Sequence, residues 1–243
     1  MSSSSDLRDE RELDLKRVGL IQHEADSPPG TALPWMRFRG FQVRHRRMDL
    51  GEPLPSANEV DDLVICGGSM NVDEESLFPW LKDEKKLIEQ VLKKGGRIVG
   101  LCLGGQLSAE VLGANVKRHH DWEVGWQPVR LNVQPGLQGF EAPCSMPVFQ
   151  WHRYVFDLPA GAKRLARNDW WETQAFLWKD QVLGFQFHPE TDLAWNRECA
   201  LDRGLPTTGR TQTPEEILRL GEELQPRLER WFHSVLEGFL IGR

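Results

Sequence analysis

The seven residues Gly100-Leu101-Cys102-Leu103-Gly104-Gly105-Gln106 constrain the fold more than any other stretch of this chain. They follow an apolar run at 97–99 and precede residues 107–114, which have helical spacing and good helix formers. A strand, a glycine-flanked reactive residue and a helix in succession form the layout of a nucleophile elbow, in which glycines permit a tight turn. We therefore expect Cys102 to lie at the carboxyl end of a strand.

Cys102 would then lie at the N-terminus of the following helix. The positive end of the helix dipole favours a thiolate over a thiol there, so the sulfur would be available as a nucleophile near neutral pH. The alternative is a buried structural cysteine beside a glycine turn. The remainder of the sequence has to decide between the two.

Short apolar runs alternate with helical segments in the first half of the chain. Runs of this kind are typical of strands buried on both faces of a sheet. A helix predicted at 77–94 ends in lysines and Gly95-Gly96, which are stop signals. The alternation predicts an α/β fold with a mostly parallel sheet that helices cover on both faces. The predicted strands here are 17–23, 41–45, 61–66 and 97–101, with a short helix within 24–40.

The second half of the chain is richer in strands, which we expect to add an antiparallel region to the sheet, and it closes with a helical tail. Thr213-Pro214-Glu215-Glu216 is a capping box with proline at the first helical position, and apolar residues recur at helical spacing from Ile217 to Phe239. Pro226 is expected to kink or split this helix. The predicted strands are 124–133, 146–150, 174–178 and 181–187, and the predicted divisions are a polar lead-in at 1–16, a main domain at 17–192 and a C-terminal helical extension of that domain at 193–243.

Charge and cysteine content exclude several classes of protein. The chain has 243 residues and a net charge of -6, which argues against a nucleic-acid binder. Its four cysteines are widely separated and show no metal-ligand spacing, so we expect reduced thiols, no metal site and a cytoplasmic compartment. The N-terminus lacks the apolar core of a signal peptide, and no apolar run is long enough to span a bilayer.

A candidate partner for Cys102 is found in His188-Pro189-Glu190, at the end of a predicted strand. A cysteine nucleophile that attacks an acyl carbon needs a base, and a third group that orients the base. In extended backbone, residues 188 and 190 point the same way, so the Glu190 carboxylate can lie beside the His188 imidazole. Alone the tripeptide is more often an ordinary loop start, but together with the cysteine turn it indicates a Cys-His-Glu triad.

Gly100-x-Cys102-x-Gly104-x-Gln106 with His188-Pro189-Glu190 downstream resembles the class I glutamine amidotransferases. Further segments are similar to the stand-alone branch related to the glutaminase domain of GMP synthetase. The resemblance covers about residues 17–192 and implies a flavodoxin-like doubly wound sheet, with the active site at the carboxyl ends of its strands. The supporting segments are Gly67 to Val72, Phe78 to Leu81, Glu123 to Trp126, Gln150-Trp151-His152 and Gln174-Ala175-Phe176.

The resemblance also implies a role for each matching residue. Cys102 would be the nucleophile, His188 the general base and then acid, and Glu190 the carboxylate that orients the imidazole. The backbone N–H groups of Gly68 and Leu103 would form the oxyanion hole. Substrate binding would fall to Gln106, Gly67, Gln150 and His152.

Two departures from the family pattern bear on substrate recognition. The branch usually has Gly-Gly-Pro where this chain has Gly67-Gly68-Ser69, so we expect a more flexible loop and a less firmly placed Gly68 N–H. Relatives commonly read His-Gly-Asp where this chain reads His152-Arg153-Tyr154. The Arg-Tyr pair would alter the pocket and could favour a γ-glutamyl compound other than glutamine.

Three functions therefore stay open at the level of sequence. The first is a glutaminase-type amidotransferase that works alone or delivers ammonia to a separate synthetase subunit. The second is a γ-glutamyl peptide or amide hydrolase, and the third is a non-catalytic binding protein on the same fold. No P-loop or dinucleotide fingerprint is present, so we expect no cofactor, a small-molecule substrate and no nucleic-acid or membrane partner, with a homo-oligomer left open.

Overall fold

The secondary structure follows the predicted order of elements and adds to it. The structure is a computed structural model that describes residues 16–242, so the predicted lead-in lies outside the described residues except for Lys16. The strands are β1 Arg17–Gln22, β2 Gln42–Arg47, β3 Asp62–Ile65, β4 Ile98–Leu101, β5 Val116–Leu131, β6 Cys144–Phe156, β7 Lys163–Arg167, β8 Ala175–Trp178, β9 Val182–Phe185 and β10 Arg210–Thr211. The α-helices are α1 Ala32–Phe38, α2 Trp80–Lys93, α3 Leu103–Val111, α4 Leu193–Asp202 and α5 Pro214–Leu236, followed by a π-helical turn at Glu237–Ile241.

Five parallel strands form one half of the sheet, in the spatial order β2-β1-β3-β4-β9. This is the 2-1-3-4-5 order of flavodoxin-like sheets, with β9 in the fifth position. Each of the four inner strands is buried along nearly its whole length, which explains why the apolar runs lack an alternating pattern. The expected doubly wound parallel sheet is confirmed.

Two hydrophobic clusters cover the two faces of these parallel strands. Alternate residues of β3 enter different clusters, with Leu63 on one face and Val64 on the other. Helices α2 and α3 pack on the face of Leu63, whereas α1, α4 and α5 pack on the face of Val64. The sheet is therefore covered by helices on both sides.

The rest of the sheet is mostly antiparallel, as the strand-rich second half predicts. Strands β8, β7 and β5 continue the sheet beyond β9, and β6 pairs with β5 in a long hairpin. The ladder of this hairpin is irregular between Arg118 and Glu123. Adjacent side chains of a regular strand point to opposite faces, but the rings of His119 and His120 lie 3.9 Å apart at this irregularity.

The C-terminal helix begins as predicted and continues past Pro226 without interruption. The Thr213 side chain accepts a hydrogen bond from the Glu216 N–H, and the Glu216 carboxylate accepts one from the Thr213 N–H. Pro226 does not split α5, which runs from Pro214 to Leu236 as one helix. The preceding helix α4 was not predicted, although Asp192 caps it by accepting from the Trp195 N–H at 2.8 Å.

Residues 16–242 contain no helix that is both long and apolar enough to cross a bilayer. Within the same residues, no group of three or more His, Cys, Asp or Glu side chains is arranged to hold a metal ion.

Candidate active site

The predicted site residues meet at the carboxyl ends of three adjacent parallel strands. Cys102 directly follows β4, Gly67-Gly68 follows β3, and His188 lies three residues after the end of β9. The backbone of Gly67 lies between the other two. A Cβ atom on Gly67 would be 2.8 Å from His188 Cε1 and 3.6 Å from Cys102 Cβ, so only glycine leaves room for this arrangement.

The turn at Cys102 is strained and has the strand-turn-helix layout expected of a nucleophile elbow. Cys102 itself has φ 49° and ψ -104°, a conformation that costs free energy in a residue with a Cβ atom. The neighbouring glycines allow close packing rather than a special dihedral angle, because a Cβ on Gly104 would be 2.3 Å from the Ile65 carbonyl oxygen. Cys102 is also the N-cap residue of α3, at the positive end of the helix dipole as expected.

The His188 imidazole is fixed between Glu190 and Cys102. His188 Nδ1 donates to Glu190 Oε1 at 2.8 Å, and the Cys102 side chain is close enough to affect the pKa of the ring. Burial alone would lower the pKa of His188, but the negative charges of Glu190 and of a Cys102 thiolate raise it to about 10. The imidazolium form is therefore favoured at neutral pH. Trp195 packs edge-on against the ring, with centroids 4.7 Å apart.

Two backbone amides beside Cys102 are available to a ligand. The Cys102 N–H donates to the Phe185 carbonyl at 2.9 Å, and the Gly104 N–H donates to the Cys66 carbonyl at 3.2 Å. Among residues 16–242, no acceptor occupies the N–H of Leu103 or of Gly68. These are the two amides that the family resemblance implies for an oxyanion hole.

A cavity of about 430 Å³ opens above the elbow. Cys102, His188 and Gly68 line it, together with two of the four predicted substrate-binding residues, Gln106 and His152. Gly67 is not part of the lining. Its carbonyl faces away toward the interior, where it lies 2.8 Å from His23 Nδ1.

Gln150 is also absent from the lining and lies behind His152 in a buried polar network. Its Oε1 is 2.9 Å from His152 Nε2, and its Nε2 donates to Gln174 Oε1 at 2.9 Å. Gln174 in turn donates to Glu123, which lies 3.3 Å from His152 Nε2. The prediction that Gln150 contacts substrate gains no support from this position, whereas a role in fixing His152 does.

A sequence model of the family described as "Glutamine amidotransferase class-I" matches residues 36–204. The chain belongs to this family. The match includes Cys102, His188 and Glu190, and it extends past the predicted boundary at residue 192 into helix α4.

Individual relatives agree with this assignment. The chain is 32% identical to the glutamine amidotransferase-like protein YfeJ of Salmonella typhimurium over 72% of this chain and 75% of that protein. It is 30% identical to a subunit of the glutamine-hydrolysing GMP synthase of Sulfurisphaera tokodaii (57% and 72%) and 29% identical to gamma-glutamyl peptidase 2 of Arabidopsis thaliana (74% and 73%). A solved glutamine amidotransferase from Methylobacillus flagellatus superposes with a TM-score of 0.87 at 28% identity, covering 94% of this chain and 95% of that one.

The loop after β3 differs from the expectation of a more flexible loop. The serine at position 69 is not a source of looseness, because Glu24 binds it twice. Glu24 Oε1 accepts from the Ser69 N–H at 2.7 Å, and Glu24 Oε2 accepts from Ser69 Oγ at 2.7 Å. A proline at position 69 could supply neither donor. Serine therefore anchors the loop by hydrogen bonds.

Arginine and tryptophan side chains are frequent in the cavity wall. Arg153 and Tyr154, the second departure from the family pattern, both line the cavity above Cys102. Arg153 donates to the backbone carbonyls of His119 and His120, and so its charge meets no carboxylate there. The Arg118 side chain has no hydrogen bond or ion pair within residues 16–242.

Sequence reasoning missed several residues of the cavity wall. Glu24, Trp195 and Arg203 line it; Trp195 lies within helix α4 and Arg203 caps its C-terminus, both inside the predicted C-terminal extension. Asp192 before Leu193 is an N-cap signal that could have located this helix. No pattern in the sequence indicates that its tryptophan reaches His188.

Two other cysteines lie in the protein interior. Burial, with a smaller contribution from the charges of Glu190 and Glu84, raises the pKa of Cys66 well above its ordinary value. Burial likewise raises the pKa of Cys199 to about 12. With pKa values raised in this way, neither thiol resembles a nucleophile.

Proposed function

We propose that this chain hydrolyses the γ-carboxamide of glutamine through a thioester on Cys102 and releases ammonia and glutamate. One observation carries the proposal. Cys102 and His188 line the same cavity, and Glu190 holds Nδ1 of the imidazole at 2.8 Å. A nucleophile, a proton carrier and an orienting carboxylate in this order suit acyl transfer.

In the first half of the reaction, the Cys102 sulfur attacks the carboxamide carbon of glutamine. The carbonyl oxygen gains negative charge, which the free N–H groups of Gly68 and Leu103 would stabilise. His188 carries its proton at the start, because its pKa is raised to about 10, and gives it to the departing nitrogen. The carbon–nitrogen bond breaks, ammonia leaves, and a γ-glutamyl thioester remains on Cys102.

In the second half, water replaces the sulfur. The now neutral His188 takes a proton from water as the water oxygen attacks the thioester carbon. The carbon–sulfur bond breaks, glutamate leaves, and the thiolate–imidazolium pair is restored. Glu190 keeps the ring in one orientation through both halves, because its carboxylate is bound to Nδ1 and is itself buried.

A second candidate function is the hydrolysis of γ-glutamyl peptides or amides by the same thioester chemistry. The observation in its favour is the pair of arginines on the cavity wall, Arg118 and Arg153, neither of which has a carboxylate partner there. A γ-glutamyl peptide carries a carboxylate on its leaving group that such cations attract, whereas ammonia from glutamine offers nothing to them. The similarity to gamma-glutamyl peptidase 2 also supports this candidate.

If ammonia is the product in use, a separate synthetase subunit would receive it. The GMP synthase relative supports this arrangement, because its name describes one subunit of a glutamine-hydrolysing enzyme. All four cysteines are unpaired thiols, which supports a reducing compartment such as the cytoplasm.

The experiment that separates these functions is a substrate panel. Glutamate release is measured from L-glutamine and from γ-glutamyl dipeptides with neutral and acidic second residues, with ammonia measured in parallel for glutamine. Turnover of glutamine supports the amidotransferase reaction, and cleavage of dipeptides alone assigns the chain to the peptide hydrolases. No turnover, combined with slow alkylation of Cys102 at neutral pH, would favour a non-catalytic binding protein.

A further inference from the structure

Two buried ionisable side chains lie directly behind the Gly67-Gly68 loop and take no part in the chemistry above. His23 follows β1, and Glu84 lies on α2. The His23 ring has no exposed surface, and neither has the Glu84 side chain. His23 Nε2 lies 3.1 Å from Glu84 Oε2, and Trp80 stacks on the ring with centroids 5.2 Å apart and an interplanar angle of 14°.

Both nitrogens of His23 face oxygen acceptors. Nδ1 lies 2.8 Å from the Gly67 carbonyl oxygen, and Nε2 lies between the two oxygens of Glu84 at 3.1 and 3.2 Å. Burial alone would lower the pKa of His23, but the Glu84 charge and the two hydrogen bonds raise it above its ordinary value. Because Nδ1 and Nε2 both face oxygen acceptors, the ring has one orientation, fixed by Glu84 on one side and by Trp80 on its face.

The bond to Gly67 fixes the direction of the neighbouring N–H. In a trans peptide, the carbonyl of one residue and the N–H of the next point in opposite directions. The peptide between Gly67 and Gly68 is trans, and its carbonyl is directed at His23 in the interior. The N–H of Gly68 is consequently directed away from His23 and toward the cavity that Gly68 lines.

The packing leaves little room for the Gly67-Gly68 peptide to flip. A Cβ on Gly68 would lie 3.1 Å from His23 Cβ, and a Cβ on Gly67 would lie 2.8 Å from His188 Cε1. The peptide is thus confined between the two histidines, with His23 as the donor to its carbonyl.

We propose that His23 is a positioning residue for the oxyanion hole: its Nδ1–H holds the Gly67 carbonyl, which aims the Gly68 N–H at the reacting carbonyl oxygen, and Glu84 fixes the ring. The proposal rests on the proposed function, since it assigns His23 a part in the same acyl transfer. His23 acts through the Gly67-Gly68 peptide and has no contact with substrate.

Two substitutions of His23 separate its two hydrogen bonds. The amide nitrogen of an asparagine can take the place of Nδ1, whereas that of a glutamine reaches the place of Nε2. His23→Asn therefore keeps a donor to the Gly67 carbonyl and loses the contact with Glu84. His23→Gln does the reverse, and each variant is the control for the other in buried volume and polarity.

Steady-state kinetics give the first readout. We expect His23→Gln to lower kcat by roughly 10²- to 10³-fold with little change in KM, as for the loss of one oxyanion donor, and His23→Asn to stay within about tenfold of the wild type. The rate of Cys102 alkylation by iodoacetamide should be the same in all three proteins, because alkylation forms no oxyanion. It is measured in a Cys144→Ser background, since the Cys144 thiol is exposed. Equal loss of kcat in both variants, or no loss in His23→Gln, overturns the proposal.

A second readout needs no catalytic activity. The sequence contains three Gly-Gly pairs, Gly67-Gly68, Gly95-Gly96 and Gly104-Gly105, so glycine labelled with carbonyl ¹³C and ¹⁵N gives three carbonyl-selected amide signals. Loss of the hydrogen bond in His23→Gln should move the Gly67 carbonyl and Gly68 amide resonances, while His23→Asn leaves them near their wild-type positions. Unmoved resonances in His23→Gln overturn the positioning role. A wild type that turns over no substrate, with these shifts as expected, overturns only the proposed function.

Discussion

His188 Nδ1 and Glu190 Oε1 are 2.8 Å apart, and both side chains are almost completely shielded from solvent. A carboxylate at this position raises the pKa of the imidazole against the opposing effect of burial. The pair therefore determines the pH range over which the site holds a proton on His188.

Glu190→Gln should move the alkaline limit of activity to lower pH. The pKa of His188 is raised to about 10, so the wild type keeps its proton donor well above neutrality, and removing the Glu190 charge lowers that pKa. We expect a lower kcat at every pH, together with an alkaline limb that falls earlier, in a pH profile of glutamate release. Glu172→Gln, at an exposed site, is the control and should leave the profile unchanged.

The same pair gives a pH-dependent contribution to stability. Because the folded-state pKa of His188 lies above its ordinary value of 6.5, the stabilisation is fully present below pH 6.5 and is lost as pH rises through about 10. The difference in free energy of unfolding between wild type and Glu190→Gln should therefore shrink from pH 6 toward pH 10 in urea titrations. A difference that grows over this range would contradict the assignment of the proton to His188.

Glu24→Ala should release the loop that carries Gly68. Glu24 accepts from both the N–H and the hydroxyl of Ser69, whereas Ser69→Ala removes only the second bond. We expect kcat to fall by about tenfold or more in Glu24→Ala and by much less in Ser69→Ala. The loss in Glu24→Ala should be smaller than the roughly 10²- to 10³-fold loss that follows removal of an oxyanion donor. If initial rates show the two variants to be equally impaired, the backbone bond is not what holds the loop.

Arg118→Ala tests the preference for the leaving group. Its side chain lines the cavity and makes no hydrogen bond or ion pair within the described residues, so truncation should leave the local structure intact. We expect kcat/KM for a γ-glutamyl dipeptide with a free carboxylate to fall about tenfold, which corresponds to about 1.4 kcal/mol, with little change for L-glutamine. An equal effect on both substrates would exclude a role for Arg118 in recognising the leaving group.

Two glycine-to-alanine substitutions should have opposite effects on stability. A Cβ on Gly104 would lie 2.3 Å from the Ile65 carbonyl oxygen, so Gly104→Ala should cost about 1–3 kcal/mol by overpacking the elbow. A Cβ on Gly221, inside α5, would lie no closer than 3.5 Å to other atoms, so Gly221→Ala should stabilise the helix by about 0.5–1 kcal/mol. Chemical denaturation measures both. A destabilised Gly221→Ala would mean that the space around α5 is tighter than these distances indicate.

The sequence was sufficient to place Cys102, His188 and Glu190 because their positions depend on local backbone. Cys102 follows a glycine-flanked strand end, and His188 and Glu190 are separated by a single residue in extended chain. Whether a predicted substrate-binding side chain reaches the cavity depends on more than local backbone. Gln150 and His152 share a strand face, but only the packing of β5 and β6 sends His152 to the cavity and Gln150 behind it.

The contact of helix α4 with His188 and the anchors of the Gly68 loop could not be predicted from local patterns. Helix α4 has almost no amphipathic periodicity, so its tryptophan beside His188 gives no periodic signal. Glu24 reaches Ser69 across 45 positions of sequence, and Glu84 reaches His23 across 61. Contacts of this kind depend on the topology of the whole sheet, which brings the ends of β1 and β3 together.

The identity of the nucleophile is tested most directly by comparing initial rates of glutamate formation by the wild type, Cys102→Ala and Cys144→Ser. The substrate is the glutamine or γ-glutamyl compound that the wild type hydrolyses fastest. Cys144 is exposed and outside the cavity, which makes its variant the matched control. The account predicts wild-type rates for Cys144→Ser and background rates for Cys102→Ala with an unchanged melting temperature. Substantial turnover by folded Cys102→Ala would contradict it.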